Sequence, residues 1–596
     1  MAWGCVLSAL AATVGAWAAG RRGRVVAAAL LLSLAGVALR ANLAERHWLS
    51  DWDERYHAIV GRNAIDDPLR PSVIPRPFDP RDVRNWGHAR VWLHKPPLAT
   101  WLIGASLATF GEGSEPAVRV PSLAFAGLGI FLTFGIGRRL LGAPVGLVAA
   151  GIHAWHARLA QLAAGLRATD HVDHQMIALV ALGVWLALAA SDTLARAPRR
   201  AAGWWLTASC GLAVGLALLA KSSPALVVVG VLGIALLVAP VSWRVRIAAP
   251  ALALGIGLLV ELPWTLYTRH AFPEQAAWFG GRNVRYFTEV VAGQEGPPWF
   301  YLGDMAAVFG WLAPVAVALF LWHGRARREL WPLFAWLLVP YGVFSLAQTK
   351  MTAYVLIAAP VVMLAMAWVW VEAWSRRPPG RERLAWRALA LLLLAGFGVG
   401  SVLRVHRPWQ HPERRVAWAE ELRRLGAQVE ALGPGPWVVF DVPSTTEAHF
   451  YTRATPVGRA PSRDDLARAR RMGFRIAVYG APPDAALAPP DVAWLPRDPR
   501  VAAEHTVLRQ LPHPPRGSEV GLWNARDAGR LEDYLDRSLR VAVHEGLPDD
   551  GDLDRTTRAR GIAAVLVAPG APDPDLPPGR PWIRVESEAF ARPLAP

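Results

Sequence analysis

The chain of 596 residues is 53% hydrophobic and only 18% charged, which excludes an ordinary soluble protein for most of its length. Its formal net charge of +16 comes from arginines in short links between apolar segments, a pattern of membrane topology rather than of nucleic-acid binding. The two cysteines, Cys5 and Cys210, both lie in apolar stretches and indicate neither a disulfide framework nor a cysteine metal site.

Apolar segments of about the length of a transmembrane helix recur over the first two thirds of the chain. They predict about twelve spans, at residues 2–20, 25–42, 116–138, 144–164, 173–192, 204–221, 223–240, 247–266, 301–322, 331–347, 352–372 and 387–404. Arginine-rich links make every second connection between these spans, so all of them fall on one side of the membrane. The positive-inside rule assigns that side to the cytoplasm. Two long loops, residues 43–115 and 268–300, are then outside.

The region after the last span is polar and predicts a separate domain on the outer side. Strand-like runs alternate there with helical candidates, which is typical of an α/β fold. The predicted strands are Trp437–Val442, Arg475–Tyr479 and Ile562–Val567, and the predicted helices are Arg414–Leu432 and Leu531–Val543. The sequence therefore predicts a polytopic α-helical membrane domain over residues 1–404 and an extracytoplasmic α/β domain over residues 405–596.

The first outer loop opens with two adjacent acids, Asp53 and Glu54, close to the end of a span. A helix beginning here would put Asp53, Tyr56 and His57 on one face, while Glu54 would point elsewhere. Ser50-x-x-Asp53 also matches a capping box, in which Asp53 would only cap that helix. Both a catalytic and a capping interpretation of Asp53 follow from these residues.

Lysine is rare in this chain, since Lys95, Lys221 and Lys350 are the only lysines among 63 basic residues. The predicted topology puts all three at outer ends of membrane segments. An ammonium is a compact point charge, unlike the planar fork of arginine. These positions predict a shared anionic ligand, such as a phosphate at the membrane surface, although an interfacial lysine such as Lys95 can also be an anchor.

A further polar cluster, Arg167-Ala168-Thr169-Asp170-His171-Val172-Asp173-His174, lies at another predicted outer helix end. Asp170 and Asp173 are three residues apart and can share a helical face, and the imidazoles add candidate metal ligands. Hydrogen-bonded helix caps are the alternative interpretation. The cluster supplies Asp170 as a further catalytic candidate, and Asp173 and His174 as candidate metal ligands.

Together these motifs resemble the GT-C glycosyltransferases, in particular bacterial homologues of protein O-mannosyltransferases and the lipid A aminoarabinose transferases. The resemblance covers about residues 45–375 and is carried by the order and spacing of several motifs. They are Asp53-Glu54-Arg55-Tyr56, Lys95-Pro96-Pro97-Leu98, Thr169-Asp170, Leu219-Ala220-Lys221, Leu262-Pro263-Trp264, Arg285-Tyr286-Phe287, Gly296–Tyr301, and Thr349-Lys350 with Tyr354. His94 stands where the family usually has an acid before the lysine, which departs from a glutamate-based metal site, although histidine can also ligate a metal.

The resemblance implies the GT-C fold and an inverting transfer of a hexosyl or pentosyl group from a polyprenyl-phosphate donor. The protein would lie in a bacterial inner membrane, and the acceptor would be a lipid, protein or glycan on the extracytoplasmic side. Asp53 would be the base, with Glu54 and Asp170 as the other carboxylate candidates. The donor phosphate would meet Lys95, Lys221, Lys350, Tyr354 and Arg285, and a divalent metal is a candidate cofactor at His94, Asp173 and His174.

A transporter or flippase of lipid-linked sugars is the alternative function. Such a protein would also bind a polyprenyl phosphate, but its ionisable groups would be expected near the middle of the membrane, along a path. In this sequence the singled-out charges gather at the predicted outer face, which favours an enzyme.

Overall fold

The computed structural model describes most of the first 497 residues and four further strands. The described residues are 2–50, 53–79, 90–166, 172–291, 294–375, 381–405, 412–442, 445–480, 489–497, 519–523, 540–544, 562–567 and 582–584. Contacts divide the chain into two compact units, and the second unit combines residues 74–81 with residues 412–596.

The first unit, residues 1–73 and 82–411, is helical in its described parts. Its helices are α1 (Ala2–Arg21), α2 (Val25–Ala44), α3 (Asp53–Asn63), α4 (Leu98–Phe110), α5 (Glu115–Leu141), α6 (Ala143–Trp155), α7 (Ala157–Ala163), α8 (Asp173–Arg196), α9 (Ala201–Lys221), α10 (Val227–Val238), α11 (Trp243–Ala271), α12 (Pro273–Thr288), α13 (Phe300–Phe309), α14 (Ala313–Gly324), α15 (Trp331–Leu346), α16 (Thr352–Val355), α17 (Ala359–Ser375) and α18 (Arg381–Val405). Short 3-10 helices join some of them, at Ser223–Leu226, Arg328–Leu330 and Leu356–Ala358.

Every predicted span falls on helical residues, and the chain is a multi-pass membrane protein. Among the described residues, seven helical stretches are long and apolar enough to cross a membrane. They are Val25–Ala44, Glu115–Leu141, Asp173–Arg196, Ala201–Lys221, Trp243–Ala271, Arg328–Leu346 and Thr352–Ser375. The bent pair α13 and α14, with an angle of 107° between its helices, makes an eighth if it is one span.

Breaks in the helices account for part of the difference from about twelve uninterrupted spans. The span predicted at 144–164 is divided into α6 and α7 at His156, whose backbone is extended with ψ 109°. A break frees carbonyl groups that need partners inside a membrane. The buried Arg40 guanidinium of α2 donates to the carbonyl oxygens of His153 at 3.0 Å and Ala154 at 2.8 Å.

The second unit is an α/β domain, as predicted. Its elements are α19 (Pro412–Ala431), β1 (Trp437–Phe440), α20 (Thr445–Tyr451), β2 (Thr455–Val457), α21 (Arg463–Arg471), β3 (Arg475–Tyr479), β4 (Val492–Leu495), β5 (Glu519–Trp523), β6 (Arg540–His544), β7 (Ile562–Val567) and β8 (Trp582–Arg584). The strands form two parallel sheets, with the orders β2-β1-β3-β4 and β6-β5-β7-β8.

The strands predicted at Trp437–Val442, Arg475–Tyr479 and Ile562–Val567 are confirmed as β1, β3 and β7. The predicted helix Leu531–Val543 is wrong where the structure describes it, because its last residues belong to β6. The alternating sequence Arg-Val-Ala-Val-His, with two β-branched residues, fits a strand better than a helix.

Candidate active site

The two adjacent acids of the first outer loop differ sharply in their surroundings. The Glu54 side chain is buried, and its oxygens accept hydrogen bonds from Arg119 Nε at 2.7 Å and Arg119 Nη2 at 3.1 Å. Arg119 is fully buried in α5 and also donates to the carbonyl oxygens of Ala44, Arg46 and Trp48. Glu54 therefore joins α3 to α5 and to the end of α2.

Ser50 gives a further reason to separate the two acids. Its backbone amide donates to Glu54 Oε2 at 2.6 Å, and its hydroxyl donates to the Gly165 carbonyl oxygen. Because α3 begins at Asp53, Ser50 lies outside the helix and is not the cap that the predicted capping box required. The neighbouring Gly165 has φ +67°, and a Cβ there would lie 2.1 Å from Glu54 Oε1. Asp53, at the first residue of α3, is only half-buried. Asp53 is therefore the more exposed of the two carboxylates.

The segment around Lys95 is held by a series of aromatic contacts. The Trp92 ring is buried and lies edge-on to His57 of α3 and to His94, with ring centroids 5.6 Å apart in both cases. His94 in turn contacts Phe279 of α12 at 6.1 Å. These contacts link the start of the first outer loop, its end and α12, which belongs to the second outer loop.

The helices α3 and α4 approach each other closely at a pair of glycines. A Cβ on Gly104 would lie 2.6 Å from the Gly61 carbonyl oxygen, so only glycine permits this packing. Because α3 begins at Asp53 and α4 follows the Lys95-Pro96-Pro97 sequence, this packing brings together the two helices that adjoin the motifs.

Lys95 and Tyr354, two of the residues predicted at the donor phosphate, interact electrostatically. Both side chains are half-buried, and the Tyr354 ring stacks on Phe344 with ring centroids 4.8 Å apart. Arg285 lies in the last turn of α12, where its guanidinium is 4.8 Å from the centre of the Trp278 ring. The same helix supplies Phe279 against His94, so the second outer loop contributes to the surroundings of Lys95.

The Thr349-Lys350 sequence ties the second outer loop to the helix that follows it. Thr349 Oγ1 donates to the Glu289 carbonyl oxygen at 2.8 Å, and the Lys350 amide donates to the Gln294 carbonyl oxygen at 2.8 Å. The Lys350 ammonium is buried and donates to the carbonyl oxygens of Ser345, at 2.8 Å, and of Ala347.

These carbonyl groups lie at the carboxyl end of α15, where a positive charge is stabilising. Burial lowers the pKa of Lys350 below the ordinary lysine value. In this structure Lys350 caps a helix, and its contact with a donor phosphate stays a prediction.

Lys221 and Asp173 form an ion pair, in which the ammonium donates to the Asp173 carboxylate. His174 is buried, and its Nε2 lies 2.6 Å from the Leu159 carbonyl oxygen. Both candidate metal ligands of this cluster thus have protein partners. Among the described residues, no group of three histidine, cysteine or acidic side chains could hold a metal ion. This donor set does not fit a bound metal, and Asp170 lies outside the described residues.

Comparisons with known proteins agree with this architecture. The profile of the dolichyl-phosphate-mannose-protein mannosyltransferase family matches residues 94–267. The undecaprenyl phosphate-alpha-4-amino-4-deoxy-L-arabinose arabinosyl transferase of Pseudomonas aeruginosa is 31% identical over 413 residues, which cover 64% of this chain and 71% of that protein. The chain belongs to the family of these arabinosyl transferases, which is a family of GT-C glycosyltransferases.

Two further proteins are similar to this chain. The arabinosyl transferase of the same name from Pseudomonas paraeruginosa is 31% identical over 336 residues, so this chain spans 57% of its length. The crystal structure of ArnT from Cupriavidus metallidurans bound to undecaprenyl phosphate has a TM-score of 0.50 at 17% identity, and the match covers 76% of this chain and 88% of that one. At that identity, the shared property is the fold.

Sequence reasoning missed Arg119, although a signal for it existed in this GT-C glycosyltransferase. An arginine inside an otherwise apolar span is costly and normally has a partner, so its presence in α5 pointed to a buried acid. Tyr301 and Asp304 of α13 were also missed as a pair. The Tyr301 hydroxyl accepts from the Met351 amide at 3.2 Å, and Asp304 accepts from Thr352 at 2.7 Å. They hold the segment that joins Lys350 to Tyr354.

Proposed function

We propose that this GT-C glycosyltransferase moves a sugar from a polyprenyl-phosphate donor to an acceptor at the outer face of the membrane, with inversion at the sugar carbon. The observation that carries the proposal is the packing of His94, which precedes Lys95, against Phe279 of the helix that bears Arg285. The arabinosyl transferase relatives support an undecaprenyl-phosphate pentose, 4-amino-4-deoxy-L-arabinose, as the donor. The acceptor is a group on a lipid, protein or glycan.

In the proposed reaction, the bond between the sugar carbon and the phosphate oxygen breaks while an acceptor oxygen bonds to the same carbon. Asp53 orients the acceptor hydroxyl and takes its proton, a role that needs a carboxylate within hydrogen-bond reach. Negative charge develops on the leaving lipid phosphate. Lys95 and Arg285 stabilise that charge, and the Tyr354 hydroxyl donates a hydrogen bond to it. A single displacement from the opposite face gives the inversion.

Family membership favours this activity over a transporter of lipid-linked sugars. The residues proposed to meet the phosphate belong to the two outer loops and to the segment before α17, rather than to a path across the middle of the membrane. A transporter would be expected to carry such groups along that path.

Donor binding separates the roles proposed for two of the lysines. We expect Lys95→Ala to weaken binding of undecaprenyl phosphate by about 10- to 100-fold, because a charge-assisted hydrogen bond contributes roughly 1.5–3 kcal/mol. Lys95→Arg should restore binding only in part, since the planar guanidinium of arginine does not reproduce the compact ammonium of lysine. The measurement is the affinity of the purified variants for undecaprenyl phosphate in nanodiscs.

Lys350→Ala is the matched control in that experiment, since it removes a second lysine that caps α15 in the structure. We expect it to lower the midpoint of thermal unfolding more than Lys95→Ala does. Equal affinities of Lys95→Ala and the wild type would remove Lys95 from the donor site. A loss of affinity only in Lys350→Ala would transfer the phosphate contact to Lys350.

The orientation of the chain can be tested with single cysteines. After replacement of Cys5 and Cys210 by serine, we expect Asp67→Cys to react with a membrane-impermeant maleimide in intact spheroplasts. Arg327→Cys should react only after permeabilisation, because it lies in an arginine-rich link on the opposite side. Both positions are exposed in the structure. Reversed labelling would contradict an active site facing out of the cytoplasm.

A further inference from the structure

Residues 76–79 of the first outer loop are bound by the carboxyl-terminal domain in the manner of a peptide. The Phe78 side chain is buried, with its ring centroid 5.2 Å from that of Phe440 in β1 and 6.2 Å from that of Phe474. The Arg468 guanidinium of α21 covers the Phe78 ring at 3.9 Å and donates to the Phe78 carbonyl oxygen at 3.1 Å.

Asp79 adds a charged contact directly after this aromatic one. Its carboxylate accepts two parallel hydrogen bonds from Arg459, at 2.9 Å and 3.0 Å, and a further one from Arg468. Burial would raise the pKa of Asp79, but the hydrogen bonds and charges of these arginines outweigh it and lower the pKa below its ordinary value. Bidentate arginine–carboxylate pairs are among the stronger and more directional polar contacts.

The backbone and side chain of Arg76 are held as well. Its carbonyl oxygen accepts from Thr455 Oγ1 at 2.7 Å, and its Nη2 donates to the Met472 carbonyl oxygen at 2.6 Å. Residues 74–81 accordingly belong to the same compact unit as residues 412–596. The segment is thus held within this unit by a buried ring, a bidentate ion pair and a backbone hydrogen bond.

The residues immediately before this segment are bonded to both parts of the proposed active site. The Asn63 side-chain amide, at the end of α3, donates to the Ser72 carbonyl oxygen at 2.8 Å and the Val73 carbonyl oxygen at 3.3 Å. The Trp92 amide donates to the Pro71 carbonyl oxygen at 2.7 Å. The chain that leads into residues 76–79 thus contacts the helix of Asp53 and the segment of Lys95.

We propose that the carboxyl-terminal domain takes part in the proposed transfer by holding residues 76–79, and that Phe78 and Asp79 are positioning residues for Asp53 and Lys95. This inference rests on the proposed function. The domain acts through the chain at residues 71–73, to which Asn63 and Trp92 are bonded. If the domain lost its contacts with residues 76–79, the segments of Asp53 and Lys95 could shift relative to each other. Small misplacements of reacting groups slow a reaction strongly.

The test compares Asp79→Asn with Asp491→Asn in the full-length purified protein. Asp491 accepts two hydrogen bonds of 2.7 Å from Arg470 in the same domain, so its substitution removes a comparable ion pair away from residues 76–79. We expect Asp79→Asn to lower kcat by about tenfold or more and Asp491→Asn to leave it near wild type. Asp79→Glu, which keeps the carboxylate, should retain most of the turnover.

Amide hydrogen exchange of the same variants supplies a readout that does not depend on activity. Asp79→Asn should speed exchange at residues 71–79 and also in α3 and around Trp92, whereas Asp491→Asn should not. Faster exchange limited to residues 76–79, or wild-type turnover in Asp79→Asn, would overturn the positioning role. A wild-type protein without any transfer from the lipid-linked donor would instead overturn the proposed function, and the exchange pattern would still report on positioning.

Discussion

Asp53→Asn is expected to lower kcat by about 10²- to 10⁴-fold, the range typical of losing a general base. The amide keeps the size of the side chain but loses its negative charge and most of its basicity. Asparagine still accepts a backbone hydrogen bond at a helix start, so a residue that only caps α3 would tolerate the change well. The affinity for undecaprenyl phosphate should stay close to that of the wild type.

Asp67→Asn is the matched control, because Asp67 is an exposed acid of the same loop that accepts a hydrogen bond from the Arg70 amide at 3.2 Å. Its turnover should equal that of the wild type. If Asp53→Asn also turned over normally, Asp170 would become the carboxylate to examine, since Glu54 is occupied by Arg119.

Glu54→Gln should affect stability more strongly than any other substitution considered for this chain. Removing one partner of a buried ion pair typically costs about 3–5 kcal/mol, since the remaining charge stays buried without compensation. The Arg119 side chain would be that remaining charge, and it is fully buried. We expect a large fall in the midpoint of thermal unfolding, measured on the purified variant in detergent.

Two variants make that expectation specific. Asp192→Asn removes an ion pair with Arg139 in which the Asp192 side chain is half exposed. It should change the free energy of unfolding by no more than about 1 kcal/mol. The double variant Glu54→Gln with Arg119→Met removes both partners and should recover part of the loss. Unchanged stability in Glu54→Gln would contradict the structural role of Glu54, and turnover per folded molecule separates that role from catalysis.

The sequence predicted the helices well because their signal is local. Twenty or so apolar residues indicate a span wherever they occur, and each predicted span lies on helical residues. The breaks were harder to predict, since the one at His156 depends on Arg40, which lies more than 100 residues earlier and satisfies the freed carbonyl groups. Local composition does not contain that partner.

In the candidate site, too, the sequence predicted the local motifs but not the contacts between distant residues. The rarity of lysine and the order of the motifs indicated the outer loops, and the structure packs His94, next to Lys95, against the helix of Arg285. The sequence favoured Asp53 over Glu54 as the base, but it could not predict the ion pair of Glu54, because the partner is Arg119, 65 residues further along the chain. Likewise, the contact of Asp79 with Arg459 joins residues 380 positions apart, and no local pattern predicts it.

The measurement that tests the central claim most directly is sugar transfer by the purified full-length protein in nanodiscs. The donor is undecaprenyl-phosphate 4-amino-4-deoxy-L-arabinose, the acceptor is a total extract of envelope lipids and glycans, and mass spectrometry follows the product. We predict that the wild type consumes the donor and releases undecaprenyl phosphate with a glycosylated product, while Asp53→Asn binds the lipid phosphate but forms at least about 100-fold less product. Equal product from Asp53→Asn and the wild type would contradict the assignment of Asp53 as the base.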